Sequence, residues 1–121
     1  MYRDAAVEGY ADAQVALAGM YESGQGLPRS DKEASAWLRK AADQHHATAE
    51  LELGLNYMSG QGVERDGVQA FFWLSRALNH TPPPDARVRT LAASNLAQLS
   101  RTLTSAQKQQ AEKLAVSQPA N

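Results

Sequence analysis

A short stretch of this chain occurs twice, and its spacing limits the fold more than any other feature. The letters YESGQG at residues 21–26 return as YMSGQG at residues 57–62, which is 36 residues later. When residues 11–46 are aligned with 47–82 without a gap, Leu17 matches Leu53 and Trp37 matches Trp73. A period of about 20 to 50 residues with identities at packing and turn positions is typical of solenoids, whose units bury their apolar faces against their neighbours. The chain is therefore predicted to be a repeat protein.

Each unit has the pattern of two helices joined by a glycine turn. In the first unit, residues 11–22 carry an apolar stripe at helical spacing, and Gly24 and Gly26 follow at once. Ser30 lies three residues before Glu33, and Asp66 three before Gln69, which is a capping-box pattern at the start of each second helix. The apolar positions of the second helices are Ala34, Trp37, Leu38, Ala41 and Ala42, repeated as Ala70, Trp73, Leu74, Ala77 and Leu78. Both units are predicted to be amphipathic helical hairpins.

The fold class predicted from this pattern is an all-α, α/α solenoid of about three units with terminal capping helices. Residues 1–10 form the end of a partial repeat, so the chain begins in mid-repeat, either as part of a longer array or with a lone capping helix. Residues 11–46 and 47–82 are the two full repeats. The prolines at 82–84 end the second repeat, and residues 83–121 form degenerate capping helices, the last of them over about 105–116. With an offset of 39 residues, Val88, Ala92, Ala93 and Leu96 take the places of Ala49, Leu53, Gly54 and Tyr57.

Charge and composition exclude several classes of function. The chain has 121 residues, 12 Lys and Arg against 13 Asp and Glu, so its overall field favours neither nucleic acid nor an anionic membrane. It contains no cysteine, which excludes disulfides and thiolate chemistry. No apolar run reaches the length of a membrane-spanning helix, and the first residues do not form a signal peptide. A soluble protein is expected, with cytoplasm and periplasm both left open.

The order Ala13, Leu17, Ala18, Tyr21, Gly24-x-Gly26, Ser30, Ala34, Trp37, Ala41-Ala42 resembles the Sel-one-like repeat family, relatives of the tetratricopeptide repeats. The recurrent Gly-x-Gly turn separates this family from the 34-residue tetratricopeptide pattern. The resemblance implies a right-handed superhelix with first helices on the concave face and second helices on the convex face. It also implies an adaptor that assembles protein complexes, in bacteria often in signalling, envelope or host interaction. Asp31 and Gly67 depart from the family pattern, which usually has an aromatic residue after the cap.

By the geometry that the resemblance implies, a protein or peptide partner is expected in the concave groove. Leu51, Leu55 and Met58 are apolar residues at helical spacing where solvent is expected, which favours a groove for a helix or an extended peptide. The alternative is that neighbouring helices cover these three side chains. The residues predicted to line the groove are Asp12, Val15, Gly19, Glu22, Thr48, Leu51, Leu55, Met58, Arg87 and Ser94.

Other conspicuous residues are predicted to be structural. Turn and packing roles are assigned to Tyr21, Gly24, Gly26, Trp37, Tyr57, Gly60, Gly62 and Trp73, and truncation of either tryptophan is expected to cost about 3–5 kcal/mol. Phe71 is predicted to lie in the core. Phe72 is predicted to form an exposed convex patch, which leaves a structural spacer or a weak homodimer as an alternative function.

The residue pattern does not favour catalysis or a cofactor. His45 and His46 lie in a turn without cysteine or carboxylate at ligand spacing, so a metal site is not predicted. The Gly-Gln-Gly turns follow helices and carry no Lys-Ser/Thr, unlike a phosphate-binding loop. A glycan-binding or enzymatic domain is a weaker alternative, for which Tyr10 is the only loosely placed aromatic residue. The chain is therefore expected to be a non-enzymatic interaction module with no cofactor.

Overall fold

The computed structural model describes residues 2–79 and 84–117, with side chains described over 4–79 and 84–114. All regular structure within these ranges is helical, in the order α1 (Tyr2–Val7), α2 (Ala11–Ser23), α3 (Asp31–Ala42), α4 (Ala47–Ser59), α5 (Gly67–Leu78), α6 (Ala86–Ser100) and α7 (Ser105–Ser117). Helices α2–α3 form the first hairpin and α4–α5 the second, whereas α6 packs on α5 and α4, and α7 packs on α5. The first hairpin packs against the second and the second against α6 and α7, as in an α/α solenoid closed by capping helices. In the described part of the chain, every helix is too short or too polar to span a membrane.

The repeated glycine turns close both complete hairpins in the same way. Gly24 and Gly60 end α2 and α4 with left-handed φ values of 74° and 79°, as the sequence predicted. The backbone N–H of Ser30 then donates to the carbonyl of Tyr21, and that of Asp66 to Tyr57, each at 2.9 Å. One hydrogen bond thus ties the start of the second helix to the end of the first.

Half of each predicted capping box is present at the start of the second helices, because the backbone N–H groups of Ser30 and Asp66 donate to the preceding helix instead of to the side chains of Glu33 and Gln69. Ser30 Oγ accepts from the backbone N–H of Glu33 at 3.1 Å, and Asp66 Oδ1 accepts from that of Gln69 at 3.2 Å. At the start of α7 both halves of a capping box are formed, because Thr104 and Gln107 each accept from the backbone N–H of the other. These caps explain why the helix boundaries could be read from the sequence.

The core runs between the hairpins as interlocking clusters of small and apolar side chains. Trp73, Leu38 and Leu53 share one cluster with buried alanines of α2 to α4, and Ala111 of α7 joins it. A second cluster holds α4, α5 and α6 together around Leu74. Alanine at the close contacts lets helix axes approach, so a chain with few large side chains can still fill its interior.

Gly62 is required by a close contact as well as by its left-handed backbone, and the sequence did not reveal this contact. Its φ is 78°, and a Cβ on it would lie 2.0 Å from the carbonyl oxygen of Asp31 in the first hairpin. Beside it, Ser35 Oγ donates to the carbonyl of Gln61 at 3.1 Å and accepts from the buried Asn56 Nδ2 at 3.0 Å. The glycine turn of the second hairpin therefore docks directly on the start of α3.

The prediction of an exposed patch at Phe72 was wrong. Phe72 is 3% exposed and meets Trp73 edge to face, with ring centroids 4.8 Å apart. It shares its cluster with Ala111 of α7, which packs against α5. Phe71, predicted to be core, is half-buried between the two large clusters. The equivalent residue Ala36 has no such cover, so the repeat alone could not indicate the burial of Phe72.

Helix α6 follows the predicted shifted register in most positions. Val88, Ala92 and Leu99 are buried against the second hairpin, and Leu96 is half-buried. Ala93 was predicted to pack like Gly54 but is exposed. The buried residues of α6 recur at i, i+4 and i+11, and Ala93 lies one position off that stripe.

Candidate functional site

The residues predicted to line a groove divide into three groups by their exposure. Asp12, Gly19, Arg87 and Ser94 are exposed, and Leu51 is buried. The remaining residues are half-buried: Val15, Glu22, Thr48, Leu55 and Met58. We call the accessible members of this set on α2, α4 and α6, together with Glu52, the first-helix surface. They are Asp12, Val15, Gly19, Glu22, Thr48, Glu52, Leu55, Met58, Arg87 and Ser94.

Leu51 does not belong to that surface, so its assignment to the groove was wrong. Its side chain is 1% exposed and lies in the cluster that includes Ala70, Leu74 and Val88. Residues of α5 and α6 therefore cover it, which is the alternative that the sequence left open. A leucine at this position joins the second hairpin to α6.

Leu55 and Met58 keep part of their apolar surface accessible. Both pack against the cluster that contains Leu51, and both are half-buried. A side chain anchored along one edge and open along the other offers a fixed apolar contact at little cost in conformational entropy. These two residues form the apolar part of the first-helix surface.

Two carboxylates lie beside this apolar part, on neighbouring first helices. Burial raises the pKa of Glu22 above its ordinary value, and the nearby Asp31 raises it further. Burial also raises the pKa of Glu52, and the charge of Glu22 adds to that increase. The charge of Glu22 on α2 thus acts on Glu52 of α4. This surface therefore holds excess negative charge in a partly desolvated position.

Glu52 was missed by the sequence analysis. It matches Ala16 in the aligned first unit, so the repeat offered no polar partner for it. The signal that could have identified it is helical spacing, because Glu52 follows Thr48 by four residues and precedes Leu55 by three. Those two neighbours were both placed on the predicted surface.

Two basic side chains moderate the pKa of Glu52 without forming a close ion pair with it. Arg87 of α6 and His46 at the start of α4 both act to lower the pKa of Glu52, against the larger effect of burial. Among the described residues, neither Glu22 nor Glu52 lies within ion-pair distance of a basic side chain. Both carboxylates are half-buried.

His46 has a defined structural role at the edge of this surface. Its Nδ1 accepts the backbone N–H of Ala49 at 3.2 Å, and so caps α4. Since Nδ1 accepts, Nε2 carries the proton and donates to Asp12 Oδ1 of α2 at 2.7 Å. The histidine therefore connects the first helices of two hairpins. No group of three His, Asp or Glu side chains in the described ranges is placed to hold a metal ion.

A shallow recess extends the surface beyond Met58. It has a volume of about 260 Å³, and its lining mixes polar groups such as Arg65 and Gln98 with apolar ones such as Leu103. Arg65 also borders a more open and more polar recess of about 520 Å³ along the second glycine turn. Neither recess is an enclosed substrate pocket.

The chain has clear counterparts among known sequences and structures. The Sel1 repeat model matches residues 11–46 and 47–81. A protective antigen present in uropathogenic Escherichia coli strains, which displays an SLR fold, shares 35% sequence identity over 94% of this chain, with a TM-score of 0.83. A Sel1 repeat protein from Oxalobacter formigenes shares 37% identity over 78% of this chain, with a TM-score of 0.70. No protein with a curated description matches this sequence.

Both structural counterparts are considerably longer than this chain. The chain spans 23% of the Escherichia coli protein and 36% of the Oxalobacter formigenes protein. The similarity therefore covers one segment of each of those arrays. It fixes the repeat type and the fold of the segment.

Proposed function

This chain belongs to the Sel1 repeat family, and from that premise we propose that its first-helix surface binds a segment of a partner protein without catalysing a reaction. Repeat folds of this kind often serve in protein interaction, because stacked hairpins present one long continuous face. The proposed site is the part of that face formed by Glu22, Glu52, Leu55 and Met58. The proposed partner is a peptide segment that carries a basic side chain next to an apolar one.

The observation that carries this proposal is the pair of partly buried carboxylates beside partly buried apolar side chains. Burial raises the pKa values of both Glu22 and Glu52, and the charges of Asp31 and Glu22 raise them further, respectively, so the free surface bears an electrostatic cost. A lysine or arginine side chain of a partner would relieve that cost while Leu55 and Met58 contact its apolar neighbour. A neutral or acidic segment would gain only the apolar contact.

Arg87 limits how much positive charge the site can accept from a partner. It acts on Glu52 from α6, and its charge weakens the negative field at that carboxylate. A single basic side chain therefore fits the surface better than a polybasic run, which Arg87 would repel. The proposed partner motif is accordingly short and carries one basic residue.

The test is a selection from a random peptide display library on the immobilised protein. The expected result is enrichment of sequences with one Lys or Arg within a few residues of a large apolar residue. Binding of a selected synthetic peptide is then measured by calorimetry against Leu55→Glu and Glu52→Lys. Each variant is expected to weaken binding by at least about tenfold, which corresponds to 1.4 kcal/mol.

Matched controls come from the second helices. Glu33→Lys makes the same change of charge as Glu52→Lys at an exposed position of α3. It is expected to leave peptide affinity unchanged within about twofold, and circular dichroism checks that all three variants keep their helices. Equal losses in Glu33→Lys and Glu52→Lys, or full binding by a folded Leu55→Glu protein, would remove the proposed site.

A further inference from the structure

We propose that the recess of about 260 Å³ beyond Met58 binds an acidic side chain of the same partner segment that the first-helix surface binds. The inference rests on the proposed function and makes it more specific, because it adds a second charged position to the partner motif. The recess lies where the start of α5 meets the connection between α6 and α7. There the aspartate or glutamate of the partner pairs with Arg65, and its apolar neighbour contacts Met58.

A difference between the two repeats leaves Arg65 without the ion pair that its counterpart makes. Arg29, at the aligned position of the first unit, has Nη2 3.8 Å from Oδ2 of Asp31. The residue aligned with Asp31 is Gly67, which has no side chain. Among the described residues, no carboxylate lies within ion-pair distance of Arg65. The second unit thus keeps the cation and lacks its anion.

The start of α5 adds a backbone group that favours an anion. Gly67 is the first residue of α5 and lines the recess. Asp66 Oδ1 accepts from the backbone N–H groups of Val68 and Gln69, at 3.0 and 3.2 Å. The N–H of Gly67 has no acceptor in the described part of the chain. Free N–H groups at the start of a helix favour negative charge, so this end of the recess supports the effect of Arg65.

The other polar side chains of the recess are neutral. Gln107 Oε1 accepts from the backbone N–H of Thr104 at 2.8 Å, which leaves its Nε2 as a donor. Gln98 is exposed and brings a second side-chain amide. The hydroxyl of Thr102 donates to the carbonyl of Leu99 at 3.0 Å. No described aspartate or glutamate lines the recess, so an acidic group meets hydrogen-bond donors there.

The apolar part of the recess limits the size of its occupant. Leu99 is buried, and Leu103 and Met58 are half-buried. Leu103 packs so closely on Gly67 that a Cβ on this glycine would lie 2.8 Å from Cδ2 of the leucine. Small-molecule pockets usually have about 300–1,000 Å³, and this open recess is smaller. It therefore suits one or two side chains of a peptide.

The position of the recess sets the spacing of the partner motif. Met58 follows Glu52 by six residues on α4, which is about 9 Å along the helix axis. An extended peptide rises about 3.3 Å per residue and spans this distance in about three residues. The acidic residue is therefore expected at least about three residues from the basic one, with the apolar residue between them.

The first half of the test changes the peptide. Peptides selected on the protein are synthesised with amidated C-termini, so that only side chains supply carboxylates. Calorimetry compares each peptide with a version in which its acidic residue is replaced by the corresponding amide. The replacement is expected to weaken binding about three- to fivefold at low salt, which is near the upper end for exposed ion pairs, and less at high salt.

The second half changes the protein at two aligned positions. Arg65→Gln removes the cation of the recess, and Arg29→Gln makes the same change in the first unit. Both arginines are exposed, and circular dichroism checks that both variants keep their helices. Arg65→Gln is expected to weaken the acidic peptide by the same factor and to leave its amide version unchanged, because the two changes remove one interaction. Arg29→Gln is expected to leave both peptides unchanged.

Failure of this inference differs from failure of the proposed function. Peptides that lose affinity for Leu55→Glu but are insensitive to Arg65→Gln and to loss of their acidic residue would overturn the recess alone. Equal losses in Arg29→Gln and Arg65→Gln, or selected peptides without an acidic residue at the expected spacing, would do the same. Peptides that bind a folded Leu55→Glu variant fully would remove the first-helix surface, and the recess with it.

Discussion

Trp37 and Trp73 occupy the same position in the first and second hairpins, yet their surroundings differ. Trp37 is half-buried, with Lys40 Nζ 4.3 Å from its ring centroid. Trp73 is fully buried, and the guanidinium carbons of Arg39 and Arg76 lie 5.2 and 5.5 Å from its ring. The second hairpin is covered by the first hairpin on one side and by α6 and α7 on the other, whereas the outer side of the first packs on the six-residue helix α1. Identical residues in a repeat therefore need not contribute equal stability.

The glycine turns show the same asymmetry between the two hairpins. Gly26 and Gly62 have left-handed φ values of 75° and 78°. A Cβ on Gly26 would meet only the end of the Met20 side chain at 3.6 Å, whereas one on Gly62 would collide with the backbone of Asp31. The turn requires a left-handed conformation at this glycine in both hairpins. The close approach of Gly62 to Asp31 arises only where the second hairpin packs on the first.

The largest expected difference in stability between the two hairpins concerns their tryptophans. Trp73→Ala removes a fully buried side chain and should lower the free energy of unfolding by about 3–5 kcal/mol. Trp37→Ala should cost clearly less, because part of its surface is already exposed to water. Urea denaturation followed by circular dichroism measures both. Equal losses would contradict the view that the second hairpin is held more tightly.

A smaller difference is expected between the two glycines. Gly26→Ala should cost roughly 1–2 kcal/mol for the left-handed conformation alone. Gly62→Ala carries the same cost and adds about 1–3 kcal/mol for displacing the start of α3. The contact between the second turn and Ser35 should loosen in that variant, and faster amide exchange near Ser35 would report it. A Gly62→Ala protein no less stable than Gly26→Ala would disprove the docking of this turn.

The smallest expected effect concerns Glu52, whose aligned position in the first repeat is Ala16. Because burial and Glu22 raise its pKa in the folded protein, ionised Glu52 lowers stability at neutral pH. Protonated Glu52 stabilises the folded protein fully when the pH is below its pKa in the unfolded chain. This stabilisation is lost as the pH rises through its pKa in the folded protein. Glu52→Gln should therefore be more stable than the parent at pH 7, with the difference vanishing below about pH 4. Thermal unfolding across this range checks the sign, and Ala16→Gln serves as the control in the first hairpin.

Much of the fold could be predicted because local chemistry and the repeat agree. The left-handed glycines at 24 and 60, the caps at Ser30 and Asp66, and the alanine stripes are all read from residues close in sequence. Two aligned copies supported each assignment. The match to Sel1 repeats at 11–46 and 47–81 confirms the predicted family.

Burial by distant elements could not be read in this way. Leu51 and Phe72 lie at positions where their copies, Val15 and Ala36, keep accessible surface, so the repeat predicted exposure for both. Contacts with α6 and α7 bury them instead. The raised pKa of Glu52 likewise depends on its burial and on Glu22 of another helix, which no pattern within one unit records.

The most direct test of the proposed function is the position of a bound peptide on the folded protein. Amide chemical shifts are recorded during titration with a selected peptide that contains one basic and one large apolar residue. The account predicts the largest changes at Gly19, Glu22, Glu52 and Leu55 on α2 and α4, with little change at exposed residues of α3 such as Lys32. Saturable changes confined to α3 and α5, with the first helices unaffected, would contradict it.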